Sequence, residues 1–262
     1  MQQATATWRA LRACWTSFAR TLARGTRVLD LGCGAGAVGE LLLDARADLR
    51  VTGVDAARVP RSGRPGLELL GETPMEATPF ADHRFGAAVS QFAIEYADLD
   101  LAACELARVL EPGAPLCFVV HHASSPIVAA AQARLAALNA IMAPMARAAF
   151  LDGDARALGA RLASVRARVA DDPLIELLAR ELPTRAGAER MQRARLWSAL
   201  EDALAPERCI AASLEACCVA RSDLDEWLEP LCAVCNLSSL TVLQTPDGAP
   251  IAWQIAATVL ND

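Results

Sequence analysis

The stretch Val28-Leu29-Asp30-Leu31-Gly32-Cys33-Gly34-Ala35-Gly36 decides how this chain is read. A short apolar run, Arg27 to Leu31, passes through three glycines at alternate positions into Val38, Leu41, Leu42 and Leu43, which mark a helix. A strand that turns through glycines into a helix lets the backbone approach a ligand closely. The string Gly34-Ala-Gly36-Ala-Val-Gly39 also spells G-x-G-x-x-G, and Asp55, 19 residues beyond Gly36, suits a carboxylate on a ribose. Two further features separate the ligands that share this pattern. Asp30 stands inside the strand, where a dinucleotide fold wants an apolar residue; a carboxylate there suits a cationic amino-acid tail. The chain also ends in two β-rich runs, Leu237 to Leu243 and Ile251 to Val259, around Pro246-Asp247-Gly248. That is a hairpin signal, so the sheet ends on a reversed strand, unlike the all-parallel dinucleotide sheet.

Upstream of the loop, Trp8, Leu11, Trp15, Phe18 and Leu22 form one stripe of an amphipathic helix over residues 1–25, read as a core face. Downstream, strands are expected at Arg50 to Val54, Leu67 to Leu70, Gly86 to Ser90 and Leu116 to Val120. The second crossover is cut short by Pro60 to Gly66, and the helix Leu99 to Leu110 is closed by Pro112-Gly113. Residues 26–122 thus form an α/β core. Residues 123–235 read as a helical insertion between strands five and six, a cap or a dimer interface, punctuated at Pro144, Pro173, Pro183 and Pro206. Residues 236–262 complete the sheet with the hairpin. The expected fold is an α/β, Rossmann-like, seven-stranded sheet with an antiparallel C-terminal hairpin.

Composition removes other functions. All 25 basic residues are arginine, which excludes Schiff-base chemistry, a P-loop nucleotidase and a lysine base. A net charge of −6 with no basic run argues against nucleic acid as partner. No stretch approaches the ~20 apolar residues of a membrane helix, and no secretory signal is visible, so no membrane is expected and the cytoplasm is the expected location. Nine cysteines in that setting read as reduced thiols. Cys232-Ala-Val-Cys235 with Cys217-Cys218 upstream lacks the paired spacing of a zinc ribbon, and no metal is expected.

The sequence resembles the class I S-adenosylmethionine-dependent methyltransferase family over residues 26–122 and again over 237–260. The matching pieces are Val28 to Gly36, Gly53-Val-Asp55, Met75-Glu-Ala-Thr-Pro-Phe80, Phe85-Gly-Ala-Ala-Val-Ser90 and Glu105-Leu-Ala-Arg-Val-Leu-Glu-Pro-Gly113. The resemblance implies S-adenosyl-L-methionine as cofactor. It places the methionine part on Asp30, Gly32, Gly34 and Gly36, and the ribose on Asp55 with Ala56 beside it. The family's adenine-contacting acid is not matched, since Pro74 stands there; Glu72, Glu76 or the backbone at Met75 takes its place. Ser90, Gln91 and Phe92, at the end of strand four, overhang the loop and complete the expected cofactor set.

Methyl transfer from a sulfonium is an in-line displacement, and a base is needed only when the acceptor arrives protonated. The candidates close strands four and five: Glu95 and Tyr96, the only tyrosine, and the pair His121-His122. Alternation along a strand lets only one of the two histidines face the pocket, and the pattern leaves open which. His83, in a polar turn, is read as exposed and inert. The reading is a methyltransferase acting on a small molecule such as a natural-product intermediate, with a homodimer as a further expectation. The alternatives are a protein or tRNA methyltransferase and a non-catalytic cofactor-binding partner. A nicotinamide oxidoreductase ranks last.

Overall fold

The glycine-bearing stretch lies at the centre of a seven-stranded sheet. The computed structural model describes residues 2–169 and 172–261. Its strands are β1 (Arg27–Leu31), β2 (Arg50–Val54), β3 (Leu67–Leu70), β4 (Ala87–Gln91), β5 (Pro115–His121), β6 (Cys235–Gln244) and β7 (Pro250–Val259), in the order β3-β2-β1-β4-β5-β7-β6. The first five are parallel, while β7 runs antiparallel to β5 and carries β6 at the edge. Four of the five residues of β1 are buried, as suits a central parallel strand covered on both faces. The reversed strand follows from the tight loop Thr245 to Ala249, in which Gly248 supplies a positive φ of 85° and Thr245 N–H donates to Ala249 C=O.

The helices are α1 (Gln2–Thr21), α2 (Ala37–Ala45), α3 (Leu99–Val109), α4 (Pro126–Ile141), α5 (Pro144–Asp152), α6 (Ala155–Arg166), α7 (Pro173–Arg185), α8 (Arg190–Cys217) and α9 (Leu224–Cys232). The chain divides into two compact units, Met1–Pro126 with Cys217–Asp262, and Ile127–Ala216. In the first, Leu29, Leu31, Phe118, Val120 and Ile255 pack with α3 and α9 into the main core. On the other face α1 lies against α2, with Trp15 fully buried and the free Cys14 thiol hydrogen-bonded to that of Cys117 in β5. The stripe on α1 is therefore a core face for Leu11, Trp15 and Leu22, but Trp8 is 45% exposed. The second unit has its own core, built around Leu138, Phe150, Leu158, Ile175 and Trp197.

Two expectations are corrected. Helix α9 buries Leu224, Leu228 and Leu231 in the core of the sheet, so residues 217–235 belong to the sheet unit and not to the helical one. Pro183 and Pro206 break nothing: they lie inside α7 and α8. Each forfeits one backbone hydrogen bond, and the surrounding leucine and alanine turns carry the helix through. Pro144 and Pro173 do start helices, where the missing N–H has no partner to lose. Among the described residues no single helix is long and apolar enough to cross a membrane.

Two distant pieces of the core lock each other. Glu105 of α3 accepts from the Thr78 N–H at 2.7 Å and from the Thr78 hydroxyl at 2.6 Å. It also takes two bonds from Arg108, at 2.6 and 2.9 Å. Arg108 in turn donates to Phe80 C=O at 2.7 Å and to Asp82 at 2.8 Å. Burial alone would raise the Glu105 pKa, but the bonds from Arg108 and Thr78 outweigh it and hold the carboxyl below its ordinary value. Glu105→Gln is expected to cost about 1.5–3 kcal/mol at pH 7, the range for bonds to a charged group. A carboxyl depressed in the folded state stabilises above its unfolded pKa and ceases to as pH falls. The gap between the two proteins, measured by urea unfolding, should therefore close below pH ~4.

Candidate active site

The parallel strands β1, β2 and β4 end side by side, and their loops close on one another. Gly32 has φ +67°, and a Cβ there would lie 2.2 Å from the Cβ of Ala93. Gly53 meets Cys33 as closely: a Cβ would fall 2.6 Å from that of Cys33, while Cys33 N–H donates to Val54 C=O at 3.0 Å. Gly36, with φ +87°, caps the start of α2 against Leu67 and Leu69. Above these turns lies a cleft of about 290 Å³, walled by Gly32, Asp55, Ala56, Met75, Glu76 and Phe92, with Tyr96 at its side. Seven of the residues chosen from the sequence meet there. Val54, Ala93 and Ala97 also line it, and nothing in their residue type could have signalled them.

Asp55 is held in place by its neighbours. Its two carboxylate oxygens accept from Gly34 N–H at 2.9 Å and from Ala57 N–H at 2.8 Å, which leaves each a lone pair for a hydroxyl. Glu76 accepts from Asp98 N–H at 3.2 Å. Glu72, the other substitute for the missing acid, is turned outward to Arg58 at 3.1 Å and is absent from the cleft wall.

Asp30 is different. It is 1% exposed, in register with Gly53 and Val89, and neither carboxylate oxygen has a full hydrogen bond. Burial pushes its pKa up to about 7. The Gly39 N–H at the start of α2 offsets part of that, and repulsion from Asp55 adds to it. The same surroundings push the Cys33 thiol up to about 12, so that cysteine is no nucleophile.

The end of β4 is divided between structure and cleft. Ser90 is fully buried; its hydroxyl donates to Leu31 C=O at 3.0 Å and accepts from Ile94 N–H at 3.2 Å. It ties β1 to the turn and does not reach the cleft. The side-chain Oε1 of Gln91 accepts from the Trp15 indole N–H at 2.6 Å, which anchors α1 to the strand end. A buried tryptophan needs a partner for its N–H, so this contact was foreshadowed by Trp15. Phe92 lines the cleft with a left-handed backbone, φ +56°, and its ring stacks on His121 at 4.1 Å.

Alternation separates the two histidines. His121 lies behind Phe92, 7% exposed, with Tyr96 edge-on at 6.3 Å. Glu95, in the 3₁₀ turn Ile94–Tyr96, accepts on one oxygen both the His121 backbone N–H at 2.9 Å and its Nδ1 at 2.7 Å. The other Glu95 oxygen is buried without a partner. His122 instead stacks on Trp253 at 4.4 Å, and its Nδ1 accepts from Ser124 N–H; burial lowers its pKa. His122 is thus held neutral and away from Glu95. Desolvation, with Glu95 nearby, pushes the Tyr96 hydroxyl up to about 12. His83 bonds Leu110 C=O in its turn. No cluster among the described residues could hold a metal.

A methyltransferase-domain family model matches residues 29–118, the span from β1 to β5. A geranyl diphosphate methyltransferase, solved with geranyl diphosphate (GPP) and sinefungin, shares the fold at 12% identity and a TM-score of 0.51, over 95% of this chain and 78% of that one. A geranyl diphosphate C-methyltransferase from Streptomyces coelicolor A3(2) aligns at 11% identity and TM-score 0.49, over 95% and 79%. An S-adenosylmethionine-dependent methyltransferase from Methanosarcina mazei aligns at 18% and 0.44, over 92% and 95%. No curated protein matches the chain. Residues 29–118 are thus similar to a methyltransferase domain, and the sheet order is that of the methyltransferase fold shared with the first of these structures.

The buried Asp30 has a measurable signature. A carboxyl raised in the folded state leaves stability intact below its ordinary pKa near 4 and erodes it as pH climbs through about 7. Asp30→Asn should therefore make the ligand-free protein more stable at pH 8, by up to about 4 kcal/mol at 1.36 kcal/mol per pKa unit. Below pH 4 the two proteins should unfold alike. Equal pH profiles in thermal melts would show that Asp30 is not desolvated.

Proposed function

We propose that this enzyme transfers the methyl group of S-adenosyl-L-methionine to a small-molecule acceptor. The observation that carries the proposal is the unpartnered Asp30 carboxylate beneath the glycine loop. A buried acid without a hydrogen-bond donor is costly, and a ligand ammonium is the group that satisfies it. The cofactor's amino-acid end supplies one, whereas a dinucleotide pyrophosphate would be repelled. Gly32, Gly34 and Gly36 keep the floor free of side chains for the methionine part. Asp55 offers lone pairs to the ribose hydroxyls, with Ala56 alongside, and Met75 and Glu76 form the wall assigned to the adenine. Ser90 and Gln91 serve in this reading by fixing the strand end, and Phe92 flanks the transferred group.

When bound, the cofactor supplies an electrophilic methyl on a sulfonium. The protein's part is alignment, exclusion of water and, where the acceptor carries a proton, a place for that proton. His121 is the proposed base and Glu95 orients it; Tyr96 stays protonated beside them, and His122 takes no part. A small molecule is favoured by the acidic chain, net −6, over an anionic polymer.

Isothermal calorimetry separates the rival ligands. S-adenosylhomocysteine should bind and NAD should not; the reverse result would sink the proposal. Asp55→Ala should weaken S-adenosylhomocysteine by about 1–3 kcal/mol, the cost of losing a charged hydrogen-bond partner. An unchanged affinity would remove Asp55 from the ribose role.

A further inference from the structure

We infer that the methyl acceptor presents a hydroxyl to Nε2 of His121, which takes its proton as the methyl arrives, with Glu95 as the positioning residue. The inference rests on the methyltransferase reading above and names the acceptor class.

Three observations lead to it. First, one oxygen of Glu95 holds the His121 ring by Nδ1 and its backbone by the N–H, accepting both. A carboxylate on Nδ1 makes that nitrogen the donor, so the free lone pair is on Nε2. Among the described residues no group bonds Nε2. Second, the remaining Glu95 oxygen is buried and unpartnered. Its neighbours Tyr96 and Cys217 are both held protonated by desolvation and by the carboxylate itself, and none of the ion pairs brings an arginine to it. A positive charge arriving on the His121 ring would lie 2.7 Å from the Glu95 carboxylate and form a contact ion pair with it. Third, His121 is not itself a wall of the cleft but packs against two rings that are, Phe92 stacked on it and Tyr96 edge-on, and Phe92 holds an unfavourable left-handed backbone. Displacing the Phe92 ring brings the base to the acceptor.

Such a pair benefits an acceptor that must surrender a proton during transfer. The hydroxyl oxygen bonds to the methyl carbon, and the C–S bond breaks with its electron pair left on sulfur, releasing S-adenosylhomocysteine. The O–H proton passes to Nε2, leaving an ether and an imidazolium paired with Glu95. A thiolate has no proton to give, and a neutral amine can keep its own through the transfer.

The test needs no natural acceptor. Carbethoxylation by diethyl pyrocarbonate, read peptide by peptide by mass spectrometry, is measured with saturating S-adenosylhomocysteine in Phe92→Ala protein. Adding Glu95→Gln, which keeps the shape and removes the charge, should slow His121 at least tenfold and leave His122 unchanged. The same comparison is made between wild type and Glu95→Gln alone, in case the Phe92 variant folds poorly. Equal rates at His121 overturn the inference. With radiolabelled S-adenosylmethionine, phenol and thiophenol serve as probe acceptors. Glu95→Gln should lower kcat for phenol at least thirtyfold at unchanged KM, and thiophenol less than threefold; equal losses overturn the inference. Calorimetry on the same preparations keeps the two readings apart. Failure of the wild type to bind S-adenosylhomocysteine sinks the methyltransferase reading, whereas retained binding with an insensitive His121 sinks this inference alone.

Discussion

Three backbone segments approach one another at the carboxyl ends of β1, β2 and β4 more closely than any side chain would allow. Gly32 against Ala93 and Gly53 against Cys33 leave no room for a Cβ, and Gly36 starts α2 in a left-handed conformation. Everything at the site depends on this contact. It brings Asp55, at the end of β2, within 2.9 Å of the Gly34 N–H, and it puts the Phe92 turn directly over the loop from β1. A larger residue at Gly32 or Gly53 would wedge the strand ends apart and separate the groups that line the cleft.

The parts of this arrangement that were legible in the sequence are those fixed by local chemistry. Glycines at alternate positions after an apolar run require a strand-to-helix turn, and Asp-Gly between two β-rich runs requires a hairpin; both are where the pattern put them. Asp30 was conspicuous because a carboxylate inside a buried strand demands an explanation. What the pattern could not supply was the environment of each side chain. Ser90 and Phe92 stand two residues apart at the same strand end, yet one is sealed under Leu31 and the other walls the cleft. His121 and His122 are equivalent in sequence, and their separation depends on which sheet face meets Glu95 and which meets Trp253. Pro183 and Pro206 misled because a proline's effect on a helix depends on the packing around it as much as on its missing N–H.

The link from Thr78 through Glu105 to Arg108 gives a physical reason for two motif pieces to occur together. One lies after β3 and the other on α3, and neither touches the other's neighbours in sequence. Glu105 satisfies the Thr78 N–H and hydroxyl, and Arg108 satisfies the carbonyls of Thr78 and Phe80. That pins the segment whose preceding residues, Met75 and Glu76, form one wall of the cleft. The network therefore holds the shape of the site from below without contributing an atom to its surface.

Among the described residues, two buried carboxylates, Asp30 and Glu95, are short of partners where the other buried polar side chains are satisfied. Their circumstances differ in a way that assigns different partners. Asp30 has no full hydrogen bond on either oxygen, gains only partial relief from the Gly39 N–H and is repelled by Asp55, so its negative charge is costly where it stands. Glu95 already has a titratable partner, since one of its oxygens grips a histidine that can become cationic in place. The two acids therefore differ in what lies beside them: Glu95 has a histidine ring at 2.7 Å, and Asp30 has no side chain to pair with.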